Sequence, residues 1–466
     1  MVRAYSLWPP WRRKIRWKSD KLFRRQSNGK RGNAMGYWKD KSGKKTELRL
    51  LQQDGSWLAY NDSTTPDGEH EKTSKGSHEH IEEALVSALH STNLIVLLGS
   101  GASFAAKNSN GDSAPGMADL WDAVETSCLA TFSGIVEKVT GQKPSDNSNK
   151  SKDIENLLSL CKITIELSKA RSNNDDADGI EAFVKNAEQA ILERVDFVSN
   201  KTDITAHLEF LRRLARRNPE KSRVRLFTTN YDMCIEEAAM QRRIVLIDGF
   251  SHSTEQRFNR DHFEHDIVRR TPQSTRADYI DSVFHLYKMH GSLDWRRKDG
   301  MVIRSKDDKL DPVLIYPRSS KYQESFATPY LDMFAAWQAS LREPDTTLII
   351  AGFGFADDHI SAPIWAALES NLSLQLILCD PCFIPSTELA CGELIEDKHL
   401  IDKTNTDLRP YHDKIIQLVK QGDNRVTILN GRFDDLADAM PTMIGKTDRQ
   451  QLEARLEQIQ KGAGNE

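Results

Sequence analysis

The chain has 466 residues, 38% hydrophobic and 28% charged, which excludes a disordered composition and allows two to four domains at roughly 100 to 200 residues each. Its formal charge of -4 hides an asymmetry: residues 1–50 hold 16 basic and 3 acidic side chains, a net of +13, and the other 416 residues carry -17. The most apolar uncharged run, Leu94 to Ala106, is 13 residues with two glycines, against the ~20 a membrane span needs, and no apolar signal-type stretch follows the basic start, so a cytoplasmic protein that does not engage the membrane is expected.

In chain order, the first 34 residues scatter Trp8, Trp11 and Trp17 among Arg and Lys and bury no face at either helical or strand period. They read as a mobile or non-native start, with Met35 as an alternative beginning, or else as an arm for acidic partners or nucleic-acid phosphates. Two short runs around Asp54-Gly55, between Thr46 and Tyr60, signal a hairpin. Residues 1–76 are therefore expected to form a basic N-terminal extension, and residues 77–445 the folded body.

The body opens with Ile81, Leu85 and Leu89 at helical spacing, then Leu94 to Leu98, an apolar run suited to a strand buried on both faces. Similar runs recur at Val224–Phe227, Ile244–Ile247, Phe284–Met289, Thr347–Ala351, Leu374–Leu378 and Val426–Leu429. Seven such strands separated by helical stretches predict an α/β fold with a doubly wound, Rossmann-like parallel sheet. Between Asp119 and Asn218 the helical period dominates, broken by polar loops at 141–153 and 172–179, which predicts an inserted all-helical subdomain. Residues 296–323 look irregular. Leu452, Leu456 and Ile459 give residues 446–466 an amphipathic helix whose stripe faces the body or a second subunit.

Six scattered cysteines make no disulfide framework. Cys379 and Cys382 form one C-x-x-C pair without a second at zinc-ribbon spacing, so buried thiols are expected rather than a metal site.

Four segments carry chemistry. Gly99-Ser100-Gly101-Ala102-Ser103 follows the first strand. It is either a tight strand-to-helix turn or a loop whose amides meet a phosphate. Phe104 stands where the dehydrogenase fingerprint needs a small residue, and no acidic residue ends a second strand about 20 residues later, which disfavours hydride transfer. The full phosphate-loop pattern, a glycine followed five residues later by Gly-Lys-Ser or Gly-Lys-Thr, is absent, which disfavours an ATPase. Thr228-Thr229-Asn230-Tyr231-Asp232 also ends a strand, so Asn230 and Asp232 either cap the next helix or face a ligand crevice. Lys288-Met289-His290-Gly291 supplies an imidazole that titrates near neutrality, serving as a structural residue or a general base. Gly352-Phe353-Gly354-Phe355-Ala356-Asp357-Asp358-His359 reads as a second nucleotide-contacting loop.

In this order the four segments resemble the sirtuin family, in particular the bacterial sirtuin-like NAD-cleaving proteins of antiphage defence, over roughly Ile81 to Met440. The resemblance implies NAD+ as substrate, with Gly99, Ser100, Gly101 and Ser103 at its phosphates and Ala102 and Thr229 also among the residues that bind it. It implies Asn230 and Asp232 at the nicotinamide ribose, His290 as acid/base, and Gly352, Gly354 and Phe355 in the later nucleotide loop. The four-cysteine zinc ribbon of sirtuin deacylases is missing, since Gly291 to Leu378 holds no cysteine. The expected activity is therefore an NAD+ glycohydrolase yielding nicotinamide and ADP-ribose. The alternatives are a deacylase or ADP-ribosyltransferase, or a non-catalytic NAD or ADP-ribose binding module. By the same resemblance, a homo-oligomer is expected, restrained until a separate partner acts: a hexameric ATPase translocase, an Argonaute-type protein or a phage component.

Overall fold

Leu94 to Leu98 is buried at every position, and the physical reason is its place in the middle of a sheet covered on both faces. The computed structural model describes residues 48–67, 70–141, 152–171, 174–270, 278–307, 309–314, 328–384 and 409–443. The expectations for the basic tail and for residues 446–466 fall outside these.

The strands in chain order are β1 (Arg49–Leu51), β2 (Trp57–Ala59), β3 (Ser63–Asp67), β4 (His70–Ser74), β5 (Asn93–Leu98), β6 (Val224–Thr228), β7 (Val245–Ile247), β8 (Val268–Arg269), β9 (Asp278–Tyr279), β10 (Val283–Lys288), β11 (Gly291–Lys298), β12 (Met301–Arg304), β13 (Asp311–Leu314), β14 (Thr346–Ala351), β15 (Gln375–Cys379) and β16 (Val426–Asn430). Nine of them form the main sheet, in the order β2-β1-β16-β15-β14-β5-β6-β10-β7. The seven from β16 to β7 are parallel and coincide with the seven apolar runs of the sequence. The β1–β2 hairpin turns at Gly55, with φ of 86°, and adds antiparallel to β16, so the sheet includes residues ahead of Ser77.

Alternation within the strands divides the core between two faces. Leu94, Val96 and Leu98 of β5 pack with Leu85, Phe210, Leu211, Ile235 and Phe433 from helices His78–His90, Thr205–Leu214, Cys234–Arg242 and Phe433–Ala439. Phe227 on β6 meets Trp337 of helix Tyr330–Leu341 edge-on at 4.9 Å and stacks on Tyr287 of β10 at 4.5 Å. Each such buried side chain contributes roughly 1.5 to 3 kcal/mol from removal of apolar surface from water.

The helical region between β5 and β6 begins at Met117. Helices Met117–Ser127, Leu129–Thr140, Ile154–Ala170 and Asn174–Val195 build a second core, with Val124, Phe132, Leu158, Cys161, Phe183 and Ile191 in it together with Leu293 of β11 and Leu314 of β13. Helix Thr205–Leu214 belongs to the core of the sheet instead.

The stretch that looks irregular from residue 296 contains a three-stranded antiparallel sheet, β12-β11-β13. Its polarity disguises it. Gly291 to Arg296 are all buried, and the Arg296 guanidinium turns back to donate to the carbonyls of Leu293 and Trp295 at 2.8 and 3.0 Å. A charged side chain satisfied by its own strand breaks the apolar alternation that betrays an ordinary sheet.

Candidate functional site

Four strands end level at one edge of the sheet. Leu98 pairs with Thr228 on one side and with Ala351 on the other, and Thr228 pairs with Lys288. The chain proceeds from β5 to β6 in one direction and reaches β14 in the other. The crevice outside β5 and β14 is therefore the topological switch point, where ligands bind in open α/β sheets. All four chemistry-bearing segments leave from this edge.

The two glycine loops touch each other. The Gly101 amide donates to the Gly352 carbonyl at 2.9 Å, and the Ala102 amide to the Gly99 carbonyl at 3.0 Å. A Cβ on Gly99 would lie 2.4 Å from Gly352 O, and one on Gly101 would lie 2.6 Å from Gly352 Cα. Gly352 itself has φ of +63°, with space for no Cβ because Ala102 N would be 2.3 Å away. The close approach that requires these glycines is thus loop against loop. Gly354 differs, since a Cβ there meets nothing within 4 Å.

Ser100 begins a single helical turn, Ser100–Ser103, and is exposed, while Ala102 lies in the core of the sheet. The ring of Phe355 is buried, 5.2 Å from that of Phe353 and 4.9 Å from His412. The Thr229 amide donates to Leu98 O at 3.2 Å, and its hydroxyl lies 3.4 Å from Asn230 Oδ1.

Asn230 is fixed through its amide nitrogen. Nδ2 donates to Gly99 O at 2.8 Å and to Ser103 Oγ at 2.7 Å, and a carbonyl partner determines which end of the amide is nitrogen. Both Nδ2 protons are committed, so Asn230 presents Oδ1, an acceptor, to any further partner. Ser103 passes the constraint on by donating to Asp232 Oδ2 at 2.6 Å. Asp232 Oδ1 accepts from the Cys234 amide at 3.0 Å at the start of the next helix. Asp232 and Ser103 are both buried; one is anchored by the Cys234 amide, and the other carries the anchor to Asn230. Behind Asp232, burial pushes the His207 imidazole down to about 4, with the Asp232 carboxylate opposing.

Lys288, buried at the end of β10, donates to Asp232 O at 2.6 Å, to Tyr231 O at 3.3 Å and to Glu236 Oε1 at 2.8 Å. It clamps the loop that bears Asn230 to the neighbouring strand. Burial raises the Glu236 carboxyl above its ordinary range, with Lys288 opposing.

His290 follows two residues later, 4% exposed, with Nε2 2.9 Å from Oδ2 of Asp357, itself 7% exposed. The Tyr231 ring centroid is 6.4 Å from that of His290. Asp357 comes from the β14 loop and caps helix Asp358–Ser370, its Oδ1 accepting from the His359 amide at 3.1 Å. Sequence reasoning assigned no role to Asp357 or to Lys288. An acid before a helix reads as a cap and a lysine after an apolar run reads as a strand end, and nothing local marks the second partner of either.

Among the described residues no group of three or more His, Cys, Asp or Glu side chains is arranged to hold a metal. Cys379 Sγ donates to Gly431 O at 3.3 Å, and Cys382 Sγ lies 3.9 Å from His412 Nε2. No helix among the described residues is long and apolar enough to cross a membrane.

Comparison with curated proteins yields no match. Residues 224–388, from β6 to beyond β15, match the SIR2-like domain, which points to NAD-related activity and takes in the Asn230, His290 and Asp357 segments while leaving the Gly99 turn outside its bounds.

Proposed function

We propose that the protein is an NAD+ glycohydrolase, the NAD-depleting effector of a bacterial antiphage defence system. The observation that carries this reading is the meeting, at one switch point, of the Gly99–Ser103 turn, an Asn230 amide held with its oxygen available, and a buried His290–Asp357 pair.

The nicotinamide ring nitrogen of NAD+ is cationic, so cleavage at the anomeric carbon expels neutral nicotinamide with the bonding pair and needs no acid on the leaving group. The ribose passes through an oxocarbenium-like state, as in glycoside hydrolysis. Asn230 Oδ1 turns the negative end of a fixed dipole toward that charge and accepts from the attacking water or a ribose hydroxyl. His290 takes the proton that water releases as its oxygen bonds to the sugar. The products are nicotinamide, ADP-ribose and one proton.

An enzyme of this kind must be restrained in its host, so the reading includes self-assembly or a separate activating partner. The deciding experiment is nicotinamide release from purified protein without acylated peptide, with and without the products of neighbouring genes. Release that depends on such a partner is expected. Release only with an acylated peptide would make the protein a deacylase, and NAD-dependent stabilisation without release would make it a binding module. Under activating conditions His290→Ala and Asn230→Ala should each lower turnover by about 10²- to 10⁴-fold, the usual worth of general-base assistance, and His290→Ala should also lower the thermal midpoint, because it leaves the buried Asp357 carboxylate short of a donor.

A further inference from the structure

We propose that Asp357 is the positioning residue that holds His290 as its Nε2–H tautomer, leaving Nδ1 as the proton-accepting nitrogen. For the use made of that base the inference rests on the glycohydrolase reading; for the tautomer itself it does not.

The argument begins with the two oxygens of one buried carboxylate. Oδ1 accepts from the His359 amide at 3.1 Å, and the Asp357 carbonyl accepts from the amides of Ile360 and Ser361 at 3.2 and 2.8 Å. Asp357 is therefore pinned at the start of helix Asp358–Ser370 by backbone bonds that have nothing to do with His290. Its other oxygen, Oδ2, lies 2.9 Å from His290 Nε2. An ionised carboxylate only accepts, so Nε2 carries a proton, and in the neutral imidazole Nδ1 then carries none. When His290 gains a second proton during turnover, the same carboxylate balances the imidazolium. The helix cap thus acts as the fixed end of a strut, and the tautomer is set at its other end.

The cap makes the inference testable, because it determines which way a substituted amide lies. In Asp357→Asn the carboxamide oxygen stays on the His359 amide, since turning it would set two donors against each other, and NH2 then faces Nε2. That nitrogen must become the acceptor, so the proton moves to Nδ1. Asp357→Ser supplies an equally good cap but is too short to reach the imidazole. A role confined to capping predicts that both variants behave like the parent.

The experiment uses the full chain labelled with ¹⁵N-histidine, with the His290 ring signals assigned by their loss in His290→Gln. Near neutral pH the parent should show a protonated Nε2 and an unprotonated Nδ1. Asp357→Asn should show the reverse, and Asp357→Ser a mixture. Under activating conditions kcat for nicotinamide release should fall about 10²- to 10⁴-fold in Asp357→Asn, with KM changed by no more than about twofold, and should fall less in Asp357→Ser. An unchanged tautomer in Asp357→Asn, or equal kcat in parent, Asn and Ser forms, would overturn the inference. Should Asp357→Asn fail to fold, a parent-like His290 tautomer in Asp357→Ser would do the same. A tautomer that reverses as stated in a protein that releases no nicotinamide, with partners present, would instead overturn the glycohydrolase reading and leave the strut intact.

Discussion

The hydroxyl of Ser103 is the smallest group on which the site depends. It accepts from Asn230 Nδ2 and donates to Asp232 Oδ2, both within 2.7 Å. Ser103→Ala would remove both bonds at once and leave a buried carboxylate oxygen short of a donor, at a cost of about 1 to 3 kcal/mol. The expected outcome is a lower urea midpoint together with slower nicotinamide release, because an Asn230 amide held only by Gly99 O and the long bond from the Thr229 hydroxyl is less firmly oriented. A variant equal to the parent in both measurements would show that the relay does not orient the amide. At this scale Asn230 and His290 were legible because each is polar where an apolar run stops. Asp357, Lys288 and the relay role of Ser103, which the sequence offered only as a phosphate contact, were not, since their partners lie 67, 56 and 129 positions away along the chain and no local pattern encodes such a pairing.

The two glycine loops determine each other's shape. Gly352→Ala places a Cβ against Ala102 N at a backbone φ of +63°, where a side chain is strained in any case. Gly354→Ala places one in open space. The first variant should therefore unfold at a clearly lower temperature, by several degrees or more, and the second within a degree or two of the parent. Comparable thermal midpoints would contradict the loop-on-loop packing. Gly101→Val belongs with the first variant, because its Cβ meets Gly352 Cα; its loss of ligand binding would follow from a displaced loop as much as from a blocked phosphate. Glycine pairs in sequence declare that the backbone must approach something. Whether that something is a ligand or another loop is a tertiary question.

For the whole molecule, buried imidazoles link stability to pH. Burial, aided by Arg409, pushes His412 down from 6.5 to about 4. Below pH 6.5 the unfolded chain takes up a proton that the folded chain refuses, so this group destabilises the fold progressively as the pH falls to about 4, by roughly 3 kcal/mol there. Asp435, pushed up to about 6 by burial and by Asp434, has the opposite sign, because its penalty at neutral pH is relieved as the pH drops. The clean measurement is thus a comparison of variants. His412→Phe, although it forfeits the bond from the Arg409 amide, should lose less stability than the parent between pH 7 and 4.5. Parallel stability curves over that range would refute the assignment.

The sequence by itself determined the seven parallel strands, the helical region ahead of β6 and the four segments at the carboxyl edge, because periodicity and the apolar-to-polar switch at a strand end are local properties. It could not show β11 as a strand, since the buried charge of Arg296 is satisfied by carbonyls of its own strand only once the chain is folded. Only the tertiary structure decided that Gly99 and Gly352 cross, that Asn230 is held through its nitrogen and offers its oxygen, and that His290 is paired with Asp357. Each of these is a hydrogen bond or contact between residues far apart in the chain. Strand order brings such residues together, and the order β14-β5-β6-β10 is a property of the assembled sheet rather than of any segment within it.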